Sequence, residues 1–179
     1  MQLLSPDVQV QPTETYHFAG VYSFGRGVFV GQSKLGSDFA YPKLTRLEAG
    51  NFTYPKLMAW EGALGLVPPE CDGLVVSTEF PVFRVNENAV LPEVLDAHFK
   101  NPAVWPLIAG ESTGTNVRRR RLNPSDFLAY PFPLPTRQTQ DKIAATWRAA
   151  SALDADETVA SELDALPASI LARAFAGAL

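Results

Sequence analysis

The stretch that divides this chain is Pro131-Phe132-Pro133-Leu134-Pro135. Proline restricts φ and donates no backbone hydrogen bond, so alternating prolines favour a stiff, extended connector. The composition changes at this point, because beyond it proline occurs only at Pro167 and glycine only at Gly177. The sequence therefore predicts two parts, residues 1–136 and residues 137–179.

The alanine-rich part after the connector has the spacing of a helix. Steps of four and three residues between apolar positions are typical of a narrow helical stripe, such as a coiled-coil seam. The step from Leu153 to Val159 interrupts this rhythm, and Pro167 would kink a continuous helix or begin a new one. We predict a long C-terminal α-helical (coiled-coil) arm that pairs with a second helix, with a helix packed on its own domain as the alternative. The predicted pairing positions are Ile143, Trp147, Ala150, Leu163, Leu166 and Ile170.

The first 136 residues predict a mixed domain with short strands and long loops. Strand-forming runs alternate with glycine turn signals, and they occupy residues 28–30, 51–54, 74–77 and 80–85. A helix is predicted over Pro92–Phe99, where proline occupies the first turn and Leu95 and Phe99 lie four apart. Ser125 and Asp126 are candidate caps of a further short turn. The predicted fold class is α+β: an irregular mixed β/α domain followed by the helical arm.

The bulk composition excludes several classes of protein. The chain has 179 residues, of which 46% are hydrophobic, and its formal net charge of −4 argues against a non-specific nucleic-acid coat. Its one cysteine, Cys71, allows neither an intramolecular disulfide nor a cysteine-based metal site. We find no signal-peptide pattern at residues 1–12 and no apolar run near the roughly 20 residues of a membrane helix. The expected location is the cytoplasm, with no membrane contact.

No motif of known catalytic chemistry occurs in the sequence. His17 and His98 are far apart, and neither has a Cys or Asp at ligand spacing. Gly25-Arg26-Gly27 is similar to the start of a dinucleotide-binding pattern, but Val30 replaces its third glycine and no helical sequence follows. We therefore predict a non-catalytic protein without metal or cofactor. An enzyme with a site hidden from sequence analysis is the alternative.

Two segments are locally basic. Residues 25–56 carry a net charge of +3, and residues 112–121 end in four consecutive arginines and contain no acid. Ser, Thr, Gly and Asn beside Arg allow backbone N–H groups to hold a phosphate while a guanidinium pairs with guanine. The alternative for an arginine run is a solvated surface. The predicted DNA contacts are Tyr22, Arg26, Lys34, Lys43, Arg46, Lys56, Thr113, Thr115, Asn116, Arg118, Arg119, Arg120 and Arg121.

Five blocks of sequence, in a fixed order, carry a resemblance to a known family. They lie at residues 43–63, 72–83, 114–122, 127–143 and 166–179. The fourth combines the proline connector with Gln140 and Ile143, and the fifth contains Leu166-Pro167-Ala168-Ser169-Ile170-Leu171. The chain resembles the specificity subunits of type I restriction-modification enzymes over nearly its whole length.

The resemblance implies a target recognition domain at residues 1–136 that reads one half of a split site in double-stranded DNA. Residues 137–179 would then be a helical spacer that helps hold the methyltransferase subunits and, through them, the restriction subunits. Lys and Arg would neutralise phosphates, with Thr113, Thr115 and Asn116 as candidate readers beside the arginines. Methyl transfer and cleavage, and hence phage defence, would depend on the partner subunits.

One departure from the family bears on the functional state. A full-length specificity subunit has two recognition domains and two helical arms, whereas this chain has room for one of each. It would be a half-subunit that forms a homodimer through its helix, or one half of a longer protein. Two other readings stay open: a protein-binding helical adaptor without DNA binding, and the recognition domain of a single-chain restriction-methyltransferase.

Overall fold

The computed structural model describes residues 1–108 and 121–154. Its strands form two sheets, one with the order β1-β9-β6-β7 and the other with the order β2-β5-β8-β3-β4. The strands are β1 (Gln2–Leu3), β2 (Val8–Gln9), β3 (Thr15–Tyr22), β4 (Gly27–Leu35), β5 (Lys43–Arg46), β6 (Phe52–Thr53), β7 (Gly65–Leu66), β8 (Val75–Ser77) and β9 (Val82–Arg84). The helices are α1 (Pro92–Phe99), α2 (Trp105–Ile108), α3 (Pro124–Ala129) and α4 (Arg137–Asp154).

The long β3–β4 hairpin forms one edge of the five-stranded sheet. Strand β3 pairs antiparallel with β4 and parallel with β8, and β8 pairs antiparallel with β5. The four predicted strand runs fall in or overlap β4, β6, β8 and β9, whereas β3 was not predicted. Its alternation is broken where the register shifts between His17 and Ala19, and such an irregularity removes the period-two signal.

The four-stranded sheet and the helices enclose an aromatic core. The rings of Phe52 and Phe127 stack with centroids 5.5 Å apart, and Phe52 also meets Phe99 at 5.2 Å. Tyr54 and Phe83 complete this cluster, and all five side chains are buried. Aromatic rings bury a large apolar area each, so this cluster joins the sheet to α1 and α3.

The two short helices that the sequence indicated are present, with one correction. Helix α1 spans Pro92–Phe99, which confirms the predicted bounds. Helix α3 begins at Pro124, and the residue before it is Asn123, so the prediction that Ser125 and Asp126 cap this turn is wrong. Proline favours the first helical position because it lacks the N–H that would be unpaired there, and this places the start of α3 before Ser125.

Helix α4 begins at Arg137, where the composition changes, and its first turns pack against α1. Ala144 is fully buried, and Ile143 packs against the aromatic core. The alternative of a helix packed on its own domain therefore describes the start of α4. The arm predicted beyond residue 154 lies outside the described residues. None of the described helices is long and apolar enough to cross a membrane.

Candidate nucleic-acid interface

The tip of the β3–β4 hairpin presents an exposed guanidinium on an aromatic support. Tyr22 and Phe29 stack with ring centroids 3.8 Å apart. The guanidinium carbon of Arg26 lies 4.5 Å from the Tyr22 centroid, and its Nε donates to the carbonyl of Ser23 at 3.3 Å. Stacking restricts the planar guanidinium and leaves its remaining N–H groups for a phosphate or a guanine edge.

The hairpin tip is fixed to the rest of the domain by backbone hydrogen bonds. Phe24 adopts a positive φ of 64°, which is uncommon for a residue with a side chain. Its N–H donates to the carbonyl of Glu61 at 2.8 Å, and the N–H of Gly25 donates to Gly62 at 2.9 Å. These two hydrogen bonds hold the turn that carries Arg26 in a fixed position on the domain.

The strand lysines of the first basic segment lie apart from each other. Lys34 is exposed on β4 and Lys43 is exposed on β5, and β8 and β3 lie between these strands in the sheet. Arg46, at the end of β5, donates from its guanidinium to the carbonyl of Gly73 at 3.0 Å, while its backbone N–H donates to Asp7 at 2.8 Å. Lys34, Lys43 and Arg46 therefore do not form a single basic cluster.

Two predicted DNA contacts share one carboxylate. Oε1 of Glu79 lies 2.8 Å from Nη2 of Arg121 and 4.0 Å from Nζ of Lys56. The Lys56 ammonium also donates to the carbonyl of Thr78 at 2.7 Å. We call Lys56, Glu79 and Arg121 the Glu79 cluster.

The junction between α1 and α4 holds a second polar cluster. Nε1 of Trp147 donates to Oδ2 of Asp96 at 3.0 Å, and Nζ of Lys100 lies 2.9 Å from the same oxygen. Arg148 pairs with Glu93 at 2.6 Å. Because Asp96 is buried, its charge needs these partners, and the predicted pairing residue Trp147 is engaged within its own chain.

The two histidines have structural partners. Nε2 of His98 lies 3.0 Å from the hydroxyl of Tyr130, and its ring meets Phe99 and Phe132 edge-on. Burial lowers the pKa of His98 from its ordinary value, because desolvation disfavours the charged imidazolium. Nδ1 of His17 lies 2.6 Å from Oγ of Ser33 on the neighbouring strand. Within residues 1–108 and 121–154, no group of three His, Cys, Asp or Glu side chains is placed to hold a metal ion.

Solved structures share this architecture. The chain superposes on a chain of a type I R-M system, from work on its complex assembly and conformational transition, with a TM-score of 0.65, 19% identity and coverage of 94% of this chain and 43% of that one. It superposes on the HsdS subunit from Thermoanaerobacter tengcongensis with a TM-score of 0.66, 19% identity and coverage of 95% and 45%. The chain has the fold of part of an HsdS subunit. No family model and no curated protein matches the sequence.

The HsdS-like fold confirms the resemblance that the five sequence blocks indicated, at the level of architecture. The chain spans less than half the length of either solved chain.

The HsdS-like fold brings some predicted residues together and leaves others outside the description. Tyr22 and Arg26 meet at the hairpin tip, and Lys56 and Arg121 meet at Glu79. Ala150 is exposed on α4. The following predicted residues lie outside the described residues: Thr113, Thr115, Asn116, Arg118, Arg119, Arg120, Leu163, Leu166 and Ile170.

The residues that hold α4 against the domain were not predicted from the sequence. Asp96 and Lys100 lie four apart on and just after α1, a spacing that favours an ion pair on one helix face. That spacing was visible in the sequence. Their contact with Trp147, 51 residues from Asp96, was not, because no local pattern indicates such a pairing.

Proposed function

We propose that this chain is a DNA-binding specificity subunit, or one half of one, that directs methyltransferase and endonuclease partner subunits to one half of a split DNA target. The observation that supports this most strongly is the match to the HsdS fold over 95% of the chain. The exposed guanidinium that stacks on Tyr22 at the hairpin tip adds a chemical group suited to DNA.

The hairpin tip is the best-supported DNA contact among the described residues. Its cation is held on an aromatic ring, and the turn beneath it is fixed by two backbone hydrogen bonds. In this proposal Arg26 contacts the DNA, Tyr22 positions it, and the exposed Lys34 and Lys43 neutralise phosphates. The residues proposed to contact bases beyond the described part are Thr113, Thr115, Asn116, Arg118, Arg119 and Arg120.

The helical arm is the proposed contact with other subunits. Ile143 and Trp147 pack within the chain, so the proposed pairing surface comprises Ala150 together with Leu163, Leu166 and Ile170. A second copy of the chain would place two recognition domains about a two-fold axis, which is the usual symmetry of homodimers. In this arrangement the methyltransferase subunits bind along the arms and the restriction subunits bind through them.

Methylome sequencing tests this function directly. The chain is expressed together with a type I methyltransferase subunit from the same genome in a host that lacks other methylation. We expect a new split methylated motif, with two different halves for a chain acting with a different half-subunit and with palindromic halves for a homodimer. Methylation that is unchanged from the host without the chain would contradict the proposal and would favour a protein-binding adaptor.

A binding experiment then tests the hairpin tip on a duplex that carries the motif. Arg26→Gln should weaken binding and reduce the slope of log affinity against log salt by about 0.9, the value for one phosphate contact. The matched control is Arg84→Gln, because Arg84 is an exposed arginine paired with Glu48 at 3.8 Å on the other sheet. Equal slopes for the two variants would remove the tip from the proposed interface.

A further inference from the structure

Among the predicted DNA contacts that the structure describes, the two cations of the Glu79 cluster are the ones paired with a carboxylate. The Lys56 side chain is only 18% exposed, and its ammonium is shared between the Thr78 carbonyl and Glu79. The Arg121 guanidinium binds the same carboxylate at 2.8 Å. Each cation therefore has a partner within the chain before any DNA is present.

Backbone hydrogen bonds tie the same three segments together. The N–H of Lys56 donates to the carbonyl of Glu79 at 3.0 Å, and the N–H of Leu122 donates to the carbonyl of Lys56 at 2.8 Å. The Leu122 side chain is 4% exposed and belongs to the aromatic core cluster. Arg121, the last residue of the arginine-rich segment, and Leu122 are thus held to the loop that follows β6 and the turn that follows β8.

The charges favour anchoring over DNA contact at these positions. Nη2 of Arg121 lies 2.8 Å from Glu79, and the Arg121 side chain is 42% exposed, so its other N–H groups stay open to solvent. A phosphate that binds those N–H groups would lie beside the Glu79 carboxylate. Like charges repel, so the carboxylate would oppose a phosphate contact at this position.

We propose that Lys56 and Arg121 are positioning residues, with Glu79 as their shared counter-ion, and that neither contacts DNA. This inference rests on the proposed function for its DNA readout. It revises the sequence prediction for these two residues and leaves Arg118, Arg119 and Arg120 as the DNA contacts of that segment. The cluster holds Arg121 against the loop that follows β6 and the turn that follows β8.

The test uses the full chain with Glu79→Gln and Arg121→Gln, and with Arg84→Gln as the exposed arginine control. Hydrogen exchange is measured at the Leu122 amide without DNA. Because each variant loses a partly exposed ion pair, we expect exchange there to rise about two- to fivefold for Glu79→Gln and Arg121→Gln. Arg84→Gln should leave it unchanged, since Arg84 lies on β9 and pairs with Glu48.

The second readout is the salt dependence of binding to the duplex that carries the motif. Arg121→Gln should keep the wild-type slope, because no phosphate contact is lost. A slope lower by about 0.9 would overturn the assignment whatever the exchange result. Unchanged exchange at Leu122 in both variants would overturn it as well. If the wild-type chain does not bind DNA, the proposed function fails, and the exchange measurement alone decides for or against the cluster.

Discussion

Replacing Gln140 by leucine should destabilise the chain at the point where α4 meets the domain. The Gln140 side chain is 2% exposed. Its Oε1 accepts from the N–H of Leu91 at 2.9 Å, and its Nε2 donates to the carbonyls of Ala89 and Pro135 at 3.1 and 3.0 Å. One buried amide therefore joins the loop before α1, the proline connector and the first turn of α4.

The expected loss follows from those three bonds. A hydrogen bond of this kind contributes about 0.5–1.5 kcal/mol, and a buried donor or acceptor left without a partner costs about 1–3 kcal/mol. Leucine fills a similar volume and regains some apolar burial, which offsets part of the loss. We expect Gln140→Leu to lower the free energy of unfolding by about 2–4 kcal/mol. Gln140→Glu should cost at least as much, because a second carboxylate oxygen would face two carbonyls.

The measurement is urea unfolding of the full chain followed by circular dichroism. The matched control is Gln138→Leu, since Gln138 lies on the same helix and is exposed, and such surface changes are usually within about 0.5 kcal/mol. A Gln140→Leu variant within that range of the wild type would refute the reasoning. It would mean that water replaces the three bonds, and that α4 is held by its apolar contacts alone.

Three further predictions use the same unfolding assay. Gly62→Ala should lower the free energy of unfolding by more than about 2 kcal/mol, because φ is 76° and a Cβ would lie 2.4 Å from the Trp105 ring. Gly50→Ala, where φ is 83° and a Cβ would meet no atom, should lower it by only about 1 kcal/mol. Equal losses for the two variants would contradict the steric argument. Tyr54→Phe should leave the free energy of unfolding unchanged or raise it by up to about 1 kcal/mol. The Tyr54 hydroxyl is buried without a hydrogen-bond partner among the described residues, and burial raises its pKa. A loss above about 1 kcal/mol would show that the hydroxyl has a hydrogen-bond partner. Burial lowers the pKa of His98, so the folded chain favours the neutral imidazole, and this contribution to stability should be lost as pH falls below about 6.5, the pKa in the unfolded chain. The His98→Gln variant should therefore lose less stability between pH 7 and pH 5 than the wild type. An equal loss in both proteins would mean that other groups cause the pH dependence.

The candidate DNA interface could be predicted from the sequence only in part. The hairpin tip was indicated in part, because Tyr22 and Arg26 lie in a basic segment with aromatic residues, and the structure stacks them. The same pattern counted Lys56 and Arg121 as DNA contacts. Charge counting cannot tell a free cation from a paired one, and Glu79 is 42 residues from Arg121.

Features that depend only on neighbouring residues could be predicted from the sequence. Proline at the first turn and the spacing of Leu95 and Phe99 were enough for α1, and the end of the proline connector was enough to place the start of α4 at Arg137. These signals are local, because proline restricts φ at its own position and helical contacts repeat every three or four residues.

The packing partner of each element, by contrast, depends on the tertiary structure. Helix α4 has an apolar stripe that suits pairing with another helix, yet its first turns lie on α1 of the same chain. That choice depends on Gln140 meeting Leu91, 49 residues away, and on Trp147 meeting Asp96, 51 residues away. Contacts over such separations depend on the whole fold, so no local pattern of residue types could have determined them.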